Sequence, residues 1–143
     1  MSFEYFVEFI LSRKQYYSNN NDEYKIFDDE VKLFYGNKSQ KDIYIYAINL
    51  SLFMCYYLRL PNKNTRNGLV EKLNKIKYFN GDFLKVPNME LNYLVDNLEI
   101  PKGIAKNKAL KENLFSAFNC LVNKIPLVIC GKPGRSKLYV FKY

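Results

Sequence analysis

Apolar residues recur at helical spacing along most of this chain. Phe3, Phe6, Val7, Ile10 and Leu11 fall at i, i+3, i+4, i+7 and i+8, which is one face of a helix. Ser2 stands where an N-cap belongs. Residues 18–22 are polar and asparagine-rich and read as a loop. Residues 24–35 predict a helix ended by Gly36. From Gln40 to Leu60 the apolar content predicts one long helix, stopped by Pro61. Residues 62–68 read as a basic, polar connection. Leu69, Leu73 and Ile76 mark a further helix that fades into the turn at Asn80-Gly81. Pro87 opens the next one, since proline is tolerated at the first helical position. Leu91, Leu94, Val95 and Leu98 share its apolar face. Pro101-Lys-Gly103 breaks that helix. Leu110, Leu114, Ala117, Phe118, Leu121 and Val122 then form a stripe from Asn107, a plausible cap, to Val122. At residues 125–130, Ile-Pro-Leu-Val-Ile-Cys, the helical period gives way to a short apolar run. It predicts a buried strand.

The 143 residues, 48% of them hydrophobic, suffice for one ordinary domain with its own core. Residues 43–58 carry no charge and raise the question of a membrane span. A spanning helix needs about 20 predominantly apolar residues. This stretch is shorter and contains Asn49, Ser51 and four tyrosines, so it reads as a core helix, with no membrane partner. The net charge of +8 would ordinarily suggest an anionic partner. Only four of the 22 basic residues are arginine, and Lys, Asn, Tyr, Phe and Ile dominate. That blend is what an AT-rich genome leaves at weakly constrained surface positions, so composition alone does not favour nucleic acid. Cys55, Cys120 and Cys130 sit in apolar runs without paired spacing, which fits a reducing, cytoplasmic compartment. The chain has no histidine. That removes Ser-His and Cys-His pairs and histidine metal ligands. Asp28-Asp29-Glu30 reads as a solvated acidic face, and Lys102, Lys106, Lys108 and Lys111 as a solvated basic one. Most of the 13 tyrosines fall at apolar-face positions and read as core.

The run at 125–130 feeds Gly131-Lys-Pro-Gly-Arg-Ser-Lys137. A buried strand followed by a glycine-rich turn and a lysine is the sequence form of a phosphate-binding loop. The turn aims backbone N–H groups at an anion, and the lysine reaches the terminal phosphates. The full pattern is Gly, four residues, Gly-Lys, then Ser or Thr. Here Ser136 replaces the second glycine, and Leu138 replaces the hydroxyl that would bind magnesium.

Three stretches around the loop carry a family resemblance. They are residues 93–107 (YLVDNLEIPKGIAKN), 108–115 (KALKENLF) and 124–137 (KIPLVICGKPGRSK). Together they resemble the mysterin family of giant, dynein-like AAA+ proteins that carry a RING domain and act as E3 ubiquitin ligases. The stretch Met54 to Pro61 (MCYYLRLP) resembles the helical region ahead of the loop in that family. A serine where Ser136 stands is usual there, whereas the family has serine at the position of Leu138. The resemblance implies ATP binding with magnesium by Gly131, Lys132, Pro133, Gly134, Arg135, Ser136 and Lys137. In this scheme Gly134 allows close backbone approach and Lys137 pairs with the β- and γ-phosphates. It assigns no catalytic or metal-binding residue to this chain. The partners it implies are ATP and either the remainder of an AAA+ module or other AAA+ modules.

The expected fold is therefore α/β by ancestry, a P-loop AAA+ module. This stretch should be mostly α-helical with one strand leading into the phosphate loop. Residues 1–92 would form a helical region, and 93–143 a truncated start of the AAA+ module. Two alternatives stand beside that expectation. One is a non-catalytic helical interaction protein or pseudogene remnant, and the other is a basic nucleic-acid-binding module.

Overall fold

The computed structural model describes residues 2–17, 39–100 and 102–128. The expected loop at 18–22 and helix at 24–35 lie outside these residues. Among the described residues there are five α-helices and no strand. They are α1 (Phe3–Tyr17), α2 (Gln40–Cys55), α3 (Lys63–Asn74), α4 (Lys85–Asn97) and α5 (Lys108–Val122). Short 3₁₀ turns lie at Tyr57–Arg59 and Lys77–Phe79. The chain divides into two compact units, Met1–Asn88 and Met89–Tyr143.

In the first unit α1 packs along α2. The Ser2 hydroxyl accepts a bond from the Tyr5 N–H at 3.2 Å, so the predicted cap is in place. Phe6 and Ile10 of α1 are fully buried, as are Ile43, Ala47, Leu50 and Phe53 of α2. The Phe6 and Phe9 rings lie 5.8 Å apart. Helix α2 opens with a capping box. Ser39 accepts from the Asp42 N–H, while the Asp42 carboxylate accepts from the Ser39 N–H. This reciprocal pairing satisfies donors that the first turn leaves open.

Helix α2 ends at Cys55 rather than running on to Leu60. The apolar sequence continues, but the chain tightens into the 3₁₀ turn Tyr57–Arg59. Phe53 stacks on Tyr57 with ring centroids 5.0 Å apart. The Arg66 guanidinium lies 5.0 Å from the Tyr57 ring. It also donates to the Leu60 carbonyl at 3.1 Å and the Leu58 carbonyl at 3.3 Å. Carbonyls left open at the end of a helix are thus taken up by an arginine from the next element.

The stretch 62–68, expected as a connection, is the first half of α3. Asn62 caps it, with its side-chain oxygen accepting from the Thr65 N–H at 2.9 Å. Leu73 is the helix's one buried residue among those described. Its second half carries the apolar positions Leu69 and Leu73, but its first half has none to read, and only the cap marks where it starts. The chain then turns through Asn80 and Gly81, both at positive φ (50° and 76°). This is the left-handed turn that the Asn-Gly pair predicts. Phe83 follows and is fully buried. Asn49 in mid-α2 donates to the Phe83 carbonyl at 3.1 Å, and the Phe83 N–H donates to the Asn74 side chain at 2.8 Å. The buried asparagine that argued against a membrane span therefore fixes this turn. Helix α4 begins at Lys85, two residues before Pro87. Proline sits in the first turn, where its missing N–H has no intrahelical partner to lose.

In the second unit Leu91, Leu94 and Val95 are buried on one face of α4, as predicted, whereas Leu98, expected with them, is half-buried and lies beyond the helix's end. Gly103, at φ 92°, carries the break between α4 and α5. Helix α5 buries Leu110, Leu114, Phe115, Ala117, Asn119 and Cys120.

Candidate functional site

Everything the sequence assigns to a site lies at or just beyond the end of α5. The helix starts where predicted. Asn107 is its N-cap, and the Asn107 side-chain oxygen accepts from the Leu110 N–H at 2.9 Å. The expected stripe holds at Leu110, Leu114 and Ala117, is half-buried at Phe118, and then fails: Leu121 is 65% exposed and Val122 is 36% exposed.

The helix ends in a hydrogen-bond pattern that sets the direction of the chain toward the loop. The Lys124 N–H donates to the Leu121 carbonyl at 3.0 Å, and the Ile125 N–H donates to the Cys120 carbonyl at 2.8 Å. Together they form a Schellman motif. Its left-handed residue is Lys124, at φ 54°, where glycine is usual. The Asn123 side chain adds a bond to the Asn119 carbonyl at 2.6 Å.

Beyond this cap the predicted strand at 125–130 is not seen. Residues 125–128 pair with no other strand, and 129–130 lie outside the described residues. A single extended segment has no ladder to join unless a neighbour supplies one. Ile125 and Leu127 are half-buried, Pro126 is exposed, and Val128 is 83% exposed. The seven loop residues, Gly131 to Lys137, and Leu138 lie outside the described residues, as do Cys130 and the acidic cluster at 28–30.

The remaining candidate groups resolve into ordinary surface and core. Lys106 pairs with Asp96 at 3.7 Å, Lys108 with Glu112 at 3.8 Å, and Lys111 donates to the Asn92 side chain at 2.6 Å. The basic patch around the start of α5 is thus partly neutralised and solvated. Burial pushes the Cys55 and Cys120 thiols up, which keeps them protonated and unreactive. Among the described residues no three Cys, Asp or Glu side chains come together as a metal site. No described helix is long and apolar enough to cross a membrane.

Comparison with known proteins bears on the same stretch. Residues 103–141 match the family model of the RNF213 AAA domain. The stretch formed by α5, its cap and the residues beyond is therefore AAA-domain sequence. Among curated proteins the chain is 31% identical over 103 residues to the human "E3 ubiquitin-protein ligase RNF213", covering 71% of this chain. It is 35% identical over 89 residues to "E3 ubiquitin-protein ligase rnf213-beta" of Danio rerio, covering 62%. A third relative, from Mus musculus, is 28% identical over 100 residues, covering 68%. The chain spans 2% of the length of each of these relatives. No solved structure matches it. The resemblance to the mysterin (RNF213) family holds: the matched stretch is AAA-module sequence of that family.

Proposed function

We propose that this chain carries the nucleotide-binding loop of a mysterin-like AAA+ ATPase and E3 ubiquitin ligase, in a form that handles phosphate but lacks its own magnesium ligand. The observation that carries the reading is the end of α5. The family match begins just before this helix and runs through the loop sequence. The Schellman cap ends that helix, with its last hydrogen bond made by the Ile125 N–H, six residues ahead of Gly131.

The donor set fits a triphosphate in part. Successive backbone N–H groups with a lysine ammonium suit a polyphosphate. Gly131, Lys132, Pro133, Gly134, Arg135 and Ser136 would supply the turn, and Lys137 the charge. Leu138 does not fit magnesium, because it offers no oxygen. The β- and γ-phosphate charge is therefore left to Lys137, with Arg135 nearby in sequence. ATP binding by this polypeptide should be weak, and hydrolysis absent. Ubiquitin transfer and assembly with other AAA+ modules, as the relatives' size and names suggest, belong to a protein larger than this stretch. A cytoplasmic setting follows from the same reading.

Calorimetric titration of the chain with Mg-ATP, beside a phosphate-release assay, tests this. The expected result is a Kd well above the micromolar range, no turnover, and further weakening by Lys137→Ala. Low-micromolar binding or steady turnover would overturn it.

A further inference from the structure

The positive charge of this chain is not spread evenly. Residues 59–85 hold seven lysines and arginines against two acids, Glu71 and Asp82, a net +5 out of +8. Composition reads as drift, but placement tells a different story. Leu73 and Phe79 are buried and pin the segment from the end of α3 through the Lys77–Phe79 turn. Between these pins Lys75 and Lys77 face solvent, and Lys72 does so beside them. Ile76 is 40% exposed and Tyr78 57% exposed. From α2, Lys41 brings its ammonium to 5.3 Å from the Tyr78 ring centroid, within cation–π range. Tyr44, one turn further along α2, is 47% exposed. Among the described residues no carboxylate pairs with Lys72, Lys75 or Lys77.

We infer that this surface binds single-stranded nucleic acid. Four ammonium groups, from the first turn of α2, the last turn and cap of α3 and the Lys77–Phe79 turn, suit a chain of phosphates. Two exposed tyrosines among them suit bases that stack without regard to sequence. Duplex reading is less well served, since the four cations are lysines, point charges without the planar fork of arginine. Arg66, in the same segment, is spent on the Leu58 and Leu60 carbonyls. The surface belongs to the first unit and is independent of the phosphate loop, so failure of one assignment leaves the other standing.

Fluorescence anisotropy with a labelled oligouridylate of about 20 nucleotides, read across a salt series, tests the inference on the full chain. Four phosphate contacts predict a slope of log affinity against log salt of about −3, at roughly −0.7 per contact. The triple variant Lys72→Gln, Lys75→Gln, Lys77→Gln should lose at least tenfold in affinity, and its slope should become shallower by about 2. Tyr78→Ala should lose about tenfold with the slope unchanged. All four side chains are exposed, so helicity by circular dichroism should be unaltered. Photo-crosslinking of the unaltered chain to an iodouridine oligonucleotide should label Tyr78 or Tyr44. Three results would overturn the inference: no binding at about 50 mM salt, equal loss from Lys102→Gln with Lys106→Gln, or preferential binding to phosphatidylserine vesicles.

Discussion

Helices α2 and α5 are nearly equal in length, 16 and 15 residues, yet they hold their places by different means. From Asn49 to Cys55 every residue of α2 is buried or half-buried. Its polar residues there turn inward: Ser51 donates to the Ala47 carbonyl at 2.6 Å and Asn49 reaches Phe83. Helix α5 is enclosed in its middle too: every residue from Leu110 to Cys120 is buried or half-buried, and Lys108, Ala109, Leu121 and Val122 are exposed at its ends. What differs is how each helix stops. The end of α2 is held by Arg66, which belongs to the next element. Helix α5 is bounded by its own caps, Asn107 at the start and the turn at Lys124 after its end.

The sharpest way to break that contrast is to empty the surroundings of α2. Phe53 is 1% exposed and stacked on Tyr57. Phe53→Ala removes a large buried ring from a site walled on all sides and should cost about 3–5 kcal/mol. Urea denaturation would show this as a lower midpoint. A loss below about 1 kcal/mol would mean that α2 is less enclosed than its burial indicates.

The next effect lies at the other end of the comparison. If α5 is bounded by its own sequence, its cap should matter. Asn107→Ala removes the acceptor for the Leu110 N–H and should cost about 1 kcal/mol, whereas Asn107→Asp should cost little. Thermal melts of the three proteins at neutral pH would rank them. Equal stability for the alanine and aspartate variants would count against the cap.

The smallest effect has the opposite sign. Lys124 holds a left-handed conformation at φ 54°, which a side chain strains and glycine does not. Lys124→Gly should stabilise the second unit by about 0.5–1 kcal/mol, seen as a raised melting temperature. A fall instead would mean that the lysine side chain makes a contact worth more than the strain.

The same contrast explains what the sequence made legible. Helix α5 could be read to within a residue at both ends, because Asn107 and the stripe from Leu110 to Val122 are local signals. The end of α2 could not, because Tyr57 and Leu58 are as apolar as what precedes them. The 3₁₀ turn is fixed by Arg66, which lies beyond Pro61 in sequence. Helix α3 is legible only in its second half, at Leu69 and Leu73; its start is not, because residues 62–68 have no apolar period. The signal available was the Asn62 cap with Thr65 three residues on. The strand expected at 125–130 needs a ladder partner, and among the described residues none is present. The candidate loop was legible only as a motif, since the chemistry of Gly131 to Lys137 rests on residue types and a family match. The lysine and tyrosine surface was hidden by composition. Counting charges over the whole chain averaged away a cluster that the pins at Leu73 and Phe79 expose.

Pro61 lies between α2 and α3 at a place where a chain would ordinarily pivot. Arg66 changes that. Its guanidinium grips the carbonyls on both sides of the bend's approach and lies against Tyr57, which is itself stacked on Phe53. The bend is thereby tied through three side chains into the buried part of α2. It behaves as a bracket rather than a joint: a push on the exposed lysines of α3 is passed to the aromatic interior instead of being absorbed at the proline.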